Sequence, residues 1–322
     1  MLEEHPAFAV VGQVDRAERA IAWLSLNRAD IVLLDIEMPE RDGLAALPDV
    51  IVAGRGARIV MVSSSTAQGA SVTLRALAMG AADAVAKPDV GAFGRQFASD
   101  LTERLLRIGR ADPEGPSIGV ESFPLREVAT GPVSCVAIGA STGGLHALGA
   151  FFAALPAQFD APIFVTQHLP AAFMPFFAGQ LATMSGRSCV VANDGATALP
   201  GSICVAPGDA HLICERRGTH IVTRLDFGEV ANHSLPSVDP MFVSVAATFG
   251  IGGVGVVLSG MGRDGAAGAA RLASVGADVI VQDALSSVVW GMPGAVAKAG
   301  LASLCGPADM LARYIARRRS GR

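Results

Sequence analysis

Short apolar runs alternate with segments of helical periodicity along the first part of the chain. The runs at residues 8–13, 31–36, 59–63 and 83–87 are predicted to be strands, and residues 17–28 are predicted to be a helix. The runs show little of the apolar–polar alternation of a half-exposed strand, so they indicate strands that are buried on both faces. This pattern predicts a parallel sheet flanked by helices.

The same pattern resumes after a break in the middle of the chain. Residues 109–132 are rich in Asp, Glu, Pro, Gly and Ser, and we interpret them as an interdomain linker. Beyond this linker, apolar runs that begin at Cys135, Ile163 and Val254 end in small or polar residues. The strands of an open α/β sheet end in this way at their carboxyl ends, where ligands bind.

Length and composition limit the protein class. The 322 residues suit two domains, which we place at residues 1–108 and 133–322. The chain has 25 Lys and Arg residues against 29 Asp and Glu residues, a net charge of −4. It lacks the basic excess that neutralises a phosphate backbone, so nucleic acid is not an expected partner. The five cysteines are odd in number and stand mostly in apolar runs, which argues against a disulfide framework or a zinc site and favours a reducing compartment.

A cytoplasmic location without membrane insertion is expected. The first residues show no basic region followed by an apolar core, so no signal peptide is predicted. One uncharged stretch, residues 242–262, has the length of a membrane-spanning helix. It holds six glycines, however, and is followed directly by Arg263 and Asp264. A buried strand that leads into a polar loop fits this stretch better.

A serine flanked by glycines lies between a predicted strand and a predicted helix. Gly139, Ser141 and Gly143 have the spacing G-x-S-x-G, and helical periodicity begins at Leu145. Such a turn exposes the serine, and the first N–H groups of the helix point to where an oxyanion would develop. This motif alone fits three interpretations equally well: the nucleophile turn of an acyl hydrolase, a phosphate-binding loop and a plain tight turn. No G-K-[ST] follows the glycines, which argues against a nucleotide-binding loop.

A nucleophilic serine needs a base, and two further predicted strands lead to suitable residues. His168 directly follows the apolar run that begins at Ile163, and Asp264 follows the run at Val254 through a glycine-containing loop. By itself, Asp264 fits a helix cap or a metal ligand equally well. The order Ser, His, Asp also differs from that of the α/β-hydrolases. Four other histidines compete less well, because none directly follows a buried strand: His146, His211, His220 and His233.

Several longer motifs follow one another between residues 134 and 304. They are Ile138-Gly-Ala-Ser-Thr-Gly-Gly, Thr166-Gln-His-Leu-Pro, Val205-Ala-Pro-Gly-Asp-Ala-His, Pro236-Ser-Val-Asp, Leu258-Ser-Gly-Met-Gly-Arg-Asp-Gly, Gln282-Asp and Gly291-Met-Pro. In these motifs and in their order, the segment resembles the chemotaxis protein-glutamate methylesterases. The resemblance implies a doubly wound, mostly parallel α/β domain. It also implies a serine esterase that hydrolyses glutamate methyl esters on chemoreceptors with release of methanol, and that in some members deamidates receptor glutamines.

The resemblance implies a role for each matching residue. Ser141 is the nucleophile, His168 is the general base and acid, and Asp264 is the carboxylate that orients the imidazole. Thr142 and Met261 match positions that shape the oxyanion pocket. No cofactor is implied for the esterase reaction. The alternative is a binding module that has lost activity and only docks receptors, and the intact serine, histidine and aspartate argue against it.

Acidic, hydroxyl and basic residues end the strands predicted in the first domain. Asp35 precedes Ile36-Glu-Met-Pro-Glu-Arg-Asp-Gly, Ser63 closes the next strand, and Lys87-Pro88 closes the last. In these residues the domain resembles a flavodoxin-like response-regulator receiver. The resemblance implies that Asp35 accepts a phosphoryl group from the chemotaxis histidine kinase and that Ser63 and Lys87 contact this group. It also implies that the receiver covers the esterase cleft until it is phosphorylated.

The resemblance breaks down at the start of the chain. A receiver begins with a strand that ends in an acidic pair, which helps to hold the Mg²⁺ needed for phosphoryl transfer. Here the run at residues 8–13 matches the second strand, and Glu3 and Glu4 precede no strand that would make them this pair. We therefore expect a receiver without its first strand, and without the full ligand set for Mg²⁺. A chain start assigned too late and a degenerate receiver both account for this.

Overall fold

The computed structural model describes residues 2, 3, 5–63, 67–87, 95–109 and 123–319. The chain divides into two compact units, Met1–Ser117 and Ile118–Arg322. Residues 110–122 of the predicted linker lie outside the described residues, as do Glu4 and Pro88.

Helices and strands alternate in the first unit, as predicted. Its elements are α1 (Ala17–Leu26), β1 (Ile31–Asp35), α2 (Gly43–Gly54), β2 (Arg58–Ser63), α3 (Ala67–Ala78), β3 (Asp83–Ala86) and α4 (Arg95–Gly109). The three strands among the described residues are parallel and lie in the order β1-β2-β3. Asp35 pairs with Val62, and Ser63 pairs with Ala86. This register brings Asp35, Ser63 and Lys87 to the carboxyl edge of the sheet.

The strand predicted at residues 8–13 is wrong. Residues 8–14 form irregular chain, and none of the backbone groups of residues 9–14 is hydrogen-bonded to another described residue. A cavity of about 1260 Å³ is lined by this segment and by β1. Val11 on one side of it and Leu33 on the other are exposed. A strand needs a neighbour that pairs with its N–H and C=O groups, and none of the described strands pairs with this segment.

The second unit contains the larger sheet. Its elements are β4 (Cys135–Ala140), α5 (Gly144–Ala154), β5 (Ile163–Gln167), α6 (Met174–Ser185), β6 (Cys189–Val191), β7 (Ile203–Val205), β8 (His211–Arg217), β9 (His220–Asp226), α7 (Val238–Phe249), β10 (Gly253–Val257), α8 (Ala266–Ser274), β11 (Asp278–Gln282), α9 (Met292–Lys298), β12 (Leu304–Gly306) and α10 (Ala308–Arg319). Within the described ranges, seven strands form one parallel sheet in the order β12-β11-β10-β4-β5-β7-β6, and β8 pairs with β9 in an antiparallel hairpin. The doubly wound, mostly parallel fold is thus confirmed.

The direction of winding reverses next to β4. From β4 the chain extends the sheet on one side through β5 and β7, and it later adds β10 and β11 on the other side. The carboxyl ends of β4 and β10 therefore flank the switch point, which is where doubly wound sheets bind ligands. Ser141 follows β4, and the loop that contains Asp264 follows β10.

Small residues allow the helices to pack closely against this sheet. Phe242 of α7 and Leu272 of α8 are fully buried in the core that they share with the strands. A Cβ atom on Gly255 of β10 would lie 2.6 Å from Cδ1 of Leu272. The glycine in β10 therefore makes room for α8, which leads directly out of the Asp264 loop.

Residues 123–131, which we call the strap, lie within the second unit. Phe123 packs against Trp290, and the rest of the strap is bound mainly near the amino end of β11. The strap is held by the guanidinium of Arg126, by a backbone N–H and by a backbone carbonyl. The bonds run from Arg126 to the carbonyls of Ala273 and Ala277 (3.0 and 3.1 Å), from the Ala129 N–H to Oδ1 of Asp278 (2.8 Å) and from Nε of Arg318 to the Gly131 carbonyl (3.0 Å). The carboxyl-terminal part of the predicted linker is therefore anchored to the second unit.

Two further features bear on the expected location. In the part of the chain that is described, no helix combines the length and the apolar character needed to cross a membrane. All five cysteines lie in that part and are free thiols.

Candidate active site

Ser141 lies in the turn between β4 and α5, with its backbone bound on three sides. Its N–H donates to the Ser259 carbonyl (3.0 Å), which continues the pairing of β4 with β10 beyond both strands. Its carbonyl accepts from the Gly144 N–H and from Nε2 of Gln167, both at 2.8 Å. These bonds fix the serine backbone at the carboxyl edge of the sheet, with the side chain partly exposed.

The turn after the serine requires glycine. Gly143, the residue before α5, has a φ of 74°, in the left-handed region that other residues avoid. A Cβ atom at this position would lie 2.4 Å from Cβ of Val288 and 2.7 Å from Oγ of Ser259. The sharp strand–turn–helix expected from the G-x-S-x-G spacing is thus present.

His168 contacts the Asp264 carboxylate and lies beside the Ser141 turn. It directly follows β5, and its N–H donates to the Ala140 carbonyl (3.2 Å), so its backbone lies beside the Ser141 turn. Its Nε2 lies 2.7 Å from Oδ2 of Asp264. Neither Nδ1 of His168 nor the Ser141 hydroxyl is hydrogen-bonded within the described residues. Nδ1 is therefore the nitrogen that remains to accept a proton, and a serine–histidine contact often closes only when substrate binds.

Asp264 is buried in a cradle of hydrogen-bond donors. Its side chain is only 2% exposed, and both of its oxygens accept several hydrogen bonds. The donors are Nε2 of His168 and the Val238 N–H on Oδ2 (both 2.7 Å), and Oγ of Ser237 (2.6 Å), Nδ2 of Asn232 (2.7 Å) and the Gly265 N–H (2.9 Å) on Oδ1. The first turn of α7 supplies part of this cradle, and a helix amino terminus stabilises negative charge.

This environment keeps Asp264 ionised. Burial by itself raises the pKa of Asp264, but the hydrogen bond and positive charge of His168 oppose burial, as do the Ser237 hydroxyl and the Val238 N–H. The pKa is consequently lowered to about 2. The carboxylate can therefore hold the proton of His168 on Nε2 and stabilise the imidazolium that forms when Nδ1 takes up a proton.

Thr142 and Met261 both lie next to the serine. Thr142 is the next residue in the turn, and its carbonyl accepts from Oγ of Ser259 (2.8 Å). Met261 follows Gly260, whose backbone packs against Ser141. Among the described residues, the N–H groups of Thr142 and Met261 have no acceptor. Such N–H groups beside a nucleophile are suitable donors to an oxyanion.

Sequence reasoning missed several polar side chains that hold this site together. Gln167, Ser237 and Ser259 stand in the motifs quoted above but carry no role there. Ser259 also accepts the Val289 N–H (3.0 Å) and so ties a further loop to the site. The position of Ser237 at the start of α7 was a signal for a helix cap, whereas Asn232 stands in no motif.

The competing histidines do not replace His168. His211 is buried, and its ring accepts the Ser237 N–H (2.9 Å) and binds the Gly228 carbonyl (2.9 Å), so it supports the cradle. The other three are exposed: His146, His220 and His233.

The first unit brings the side chains of Asp35 and Lys87 into contact, whereas Ser63 contacts Lys87 through its backbone carbonyl (2.6 Å) and its hydroxyl contacts Thr73. Nζ of Lys87 lies 2.9 Å from Oδ2 of Asp35 and 3.6 Å from Oε2 of Glu37. The hydrogen bond to Asp35 raises the pKa of Lys87. Ser63 is buried, and its hydroxyl accepts from Oγ1 of Thr73 (3.0 Å).

The described residues around Asp35 do not fit a Mg²⁺ site. Mg²⁺ takes oxygen ligands in a near-octahedral arrangement. One oxygen of Asp35 contacts the Lys87 ammonium, and the other accepts the Glu37 N–H (3.0 Å). The Glu37 carboxylate faces the same ammonium. Within the described ranges, no group of three or more His, Cys, Asp or Glu side chains is suited to a metal ion.

Known families match both units. Residues 136–315 match the family model of the CheB methylesterase, and residues 1–92 match that of the response regulator receiver domain. Protein-glutamate methylesterase/protein-glutamine glutaminase 2 of Caulobacter vibrioides is 42% identical over 323 residues, with 98% of this chain and 93% of that protein covered. Protein-glutamate methylesterase/protein-glutamine glutaminase 1 of Rhodospirillum rubrum is 38% identical over 351 residues, with 98% and 90% covered.

A solved structure is also similar. The crystal structure of the Thermotoga maritima CheB methylesterase catalytic domain has a TM-score of 0.56 and 34% sequence identity, and the match covers 57% of this chain and 98% of that one. The alignments with the two relatives each cover 98% of this chain, so the similarity extends beyond the esterase motifs to nearly the whole chain. The chain therefore belongs to the protein-glutamate methylesterase/protein-glutamine glutaminase family, and it joins a segment that matches the response regulator receiver domain to one that matches the CheB methylesterase.

Proposed function

We propose that Ser141, His168 and Asp264 form the catalytic triad with which this chain hydrolyses glutamate methyl esters. One observation carries the proposal: the imidazole of His168 contacts a buried carboxylate at 2.7 Å beside a serine in a strand–turn–helix. A carboxylate, an imidazole and a hydroxyl that end three neighbouring strands are the groups that nucleophilic acyl transfer requires.

The geometry supports the following reaction. Nδ1 of His168 takes the proton of the Ser141 hydroxyl while Oγ attacks the γ-carbonyl carbon of the ester. The oxyanion of the tetrahedral intermediate accepts hydrogen bonds from the N–H groups of Thr142 and Met261. When the intermediate collapses, the methoxy oxygen leaves with the proton from Nδ1 as methanol. Water then attacks the acyl-enzyme with His168 as base, which releases a glutamate carboxylate and restores the serine hydroxyl.

The same groups support deamidation of glutamine. The γ-carbonyl carbon of the amide is attacked in the same way, and the amide nitrogen leaves with the proton from Nδ1 as ammonia. Nucleophile, base and oxyanion donors all come from this chain, so the proposed esterase step uses no cofactor.

The substrates and partners follow from the two domains. The proposed substrates are glutamate methyl esters and glutamines of chemoreceptors, and the proposed phosphodonor to Asp35 is the chemotaxis histidine kinase. The contact of Asp35 with the Lys87 ammonium supports this acceptor, because a cation in that place can also bind phosphoryl oxygens. The free cysteines support a cytoplasmic location, and the net charge of −4 argues against a nucleic-acid partner.

The test is methanol release from methylated chemoreceptor by the full chain. Ser141→Ala and His168→Ala should each reduce the rate by several orders of magnitude, and the double variant should lose little more, because the residues act as one unit. A fluorophosphonate probe should label the unmodified chain and not Ser141→Ala. His220→Ala, at an exposed position in β9, is the control. Substantial methanol release by Ser141→Ala would contradict the assignment.

A further inference from the structure

Asn232 bridges two carboxylates behind the candidate triad. It lies in the loop between β9 and α7, and its Nδ2 donates to Oδ1 of Asp264 (2.7 Å) and to Oδ2 of Asp239 (3.1 Å). Its Oδ1 accepts the Ser234 N–H (2.9 Å), which closes a turn within the loop. Both hydrogens of the carboxamide are thus used on carboxylates, and its oxygen is used on the backbone.

The two carboxylates need such a bridge. Burial and the nearby charge of Asp264 raise the pKa of Asp239, since like charges in a poorly solvated place disfavour ionisation. The other oxygen of Asp239 accepts the Gly268 N–H (2.7 Å), so Asp239 is fixed to α8. An amide group with one N–H toward each carboxylate satisfies both and offsets their repulsion.

The bridge also sets the orientation of Asp264. Oδ1 is held by Asn232 from the loop and by Ser237 from the start of α7, which leaves Oδ2 facing Nε2 of His168. Without the donor from Asn232, Oδ1 keeps the Ser237 hydroxyl (2.6 Å), the Gly265 N–H (2.9 Å) and the longer bond from the Asp239 N–H (3.4 Å). The carboxamide that offsets the repulsion between the two carboxylates is then lost, and this repulsion shifts Asp264 relative to the imidazole.

We propose that Asn232 is a positioning residue for the esterase reaction, acting through Asp264 on His168. The inference rests on the proposed function. The bonds of Asn232 run to Asp264, Asp239 and Ser234, so its loss should act on the chemical step. The two polar atoms of the Asn232 side chain allow this role to be distinguished from a purely structural role in the loop. Nδ2 donates to the two carboxylates, whereas Oδ1 accepts the N–H that closes the turn.

Two substitutions exploit that separation in the full chain. Asn232→Asp keeps the shape and an acceptor for the Ser234 N–H, but it removes both donors. Asn232→Ala removes donors and acceptor together. Asn193→Asp is the control, because it makes the same chemical change at an exposed position whose side chain has no hydrogen bond within the described residues.

The expected result is a fall in kcat for methanol release of about 10- to 100-fold in Asn232→Asp, the range for loss of a hydrogen bond to a charged group. KM should stay within about twofold to threefold, and Asn232→Ala should lose no more than Asn232→Asp. A purely structural role in the turn predicts the opposite order, with Asn232→Asp near the unmodified rate and Asn232→Ala impaired.

Asn232→Asp places a third carboxylate beside Asp239 and Asp264, which could prevent folding. A double variant keeps the proposal testable in that case. Asn232→Asp combined with Asp239→Asn keeps the number of carboxylates of the unmodified chain. It still removes the carboxamide donor of Asn232 from Oδ1 of Asp264, so kcat should stay below that of the unmodified chain. A near-normal kcat in any folded variant that carries Asn232→Asp overturns the proposal. Ser141→Ala, measured alongside, distinguishes the two failures, because activity in that variant means that the triad assignment itself is wrong.

Discussion

Gly260 packs directly against Ser141: a Cβ atom on Gly260 would lie 3.0 Å from Cβ of Ser141 and 3.1 Å from its backbone nitrogen. Such a Cβ atom would also lie 2.4 Å from Sδ of Met292. The Gly260 carbonyl accepts the N–H groups of Gly291 and Met292 (3.1 and 2.8 Å), so the loop cannot easily move back. The loop after β10 thus positions the candidate nucleophile by direct backbone contact.

Gly260→Ala should therefore impair the reaction while the fold is retained. The added methyl group must displace Ser141, Met292 or both, and a misplacement of about 1 Å at a reacting group can reduce the rate on the order of 100-fold. The measurement is methanol release together with circular dichroism. Gly179→Ala is the matched control, because a methyl group added to Gly179 in α6 would meet no atom within 4 Å. The control should keep full activity and gain about 0.5–1 kcal/mol in the free energy of unfolding. Equal rates for the two variants would show that the serine tolerates the displacement.

Asp264 should make the second unit sensitive to acid. Its pKa of about 2 in the folded chain lies below the ordinary value of 3.8. A lowered pKa stabilises the fold above about pH 4, and this contribution is lost as the pH falls from about 4 toward 2. The full contribution is about 2 kcal/mol, of which roughly half is lost at about pH 3.

The measurement is urea unfolding at about pH 7, 4 and 3, followed by the fluorescence of Trp290 in a Trp23→Phe background. Asp264→Asn should be less stable at neutral pH by about 1–3 kcal/mol, since its amide group would face the donors of the cradle. The difference between the two chains should shrink as the pH falls from about 4 to about 3. A difference that stays constant over this range would mean that Asp264 has an ordinary pKa.

The strap should stabilise the second unit, and its Arg126 contacts should do so without affecting catalysis. A fragment of residues 132–322 loses the N–H donor to the buried Oδ1 of Asp278 and the bonds of Arg126. Its free energy of unfolding should be about 1–3 kcal/mol lower than that of residues 123–322. Methanol release by Arg126→Met should match that of residues 123–322, because Arg126 binds at the amino end of β11 and the triad lies at the carboxyl ends of β4, β5 and β10. The shorter fragment also loses the contact of Phe123 with Trp290, whose loop adjoins Gly260. Arg126→Met in the longer fragment should give an intermediate stability. Equal stabilities would show that the strap contributes nothing.

Sequence patterns predicted the site residues whose position depends only on the strands that they follow. Ser141 and His168 directly follow buried strands, and parallel strands carry their carboxyl ends to one edge, so their proximity could be predicted. The place of Asn232 depends on the course of a loop between β9 and α7, which no periodicity encodes. The strap has the composition of a linker, yet Arg126 binds the carbonyls of Ala273 and Ala277. These carbonyls are distant in sequence, so the residues around Arg126 do not predict this contact.

The error at residues 8–13 has the same origin. An apolar run indicates that a segment can be a strand, but pairing depends on what lies beside it. Since the backbone of residues 9–14 has no hydrogen-bond partner among the described residues, its amide hydrogens should exchange nearly as fast as in an unfolded peptide. Amides of β2, such as those of Val60 and Met61, are buried and paired on both sides and should be strongly protected. Protection of residues 9–14 comparable to that of β2 in exchange followed by mass spectrometry would contradict this.

Asp35 should accept phosphoryl groups slowly in this chain. Phosphoryl transfer to a carboxylate depends on Mg²⁺ to neutralise the phosphoryl oxygens, and the described residues place Lys87 and the Glu37 N–H on the two oxygens of Asp35. Incubation with acetyl phosphate and Mg²⁺ should leave most of the chain unmodified by intact-mass analysis, and Asp35→Asn should remove whatever phosphate is incorporated. Ser63→Ala should change little, because the Ser63 hydroxyl is engaged with Thr73. Stoichiometric phosphorylation that is lost in Asp35→Asn would refute the expectation, since it would mean that Mg²⁺ binds at this edge despite the ammonium of Lys87 on Asp35.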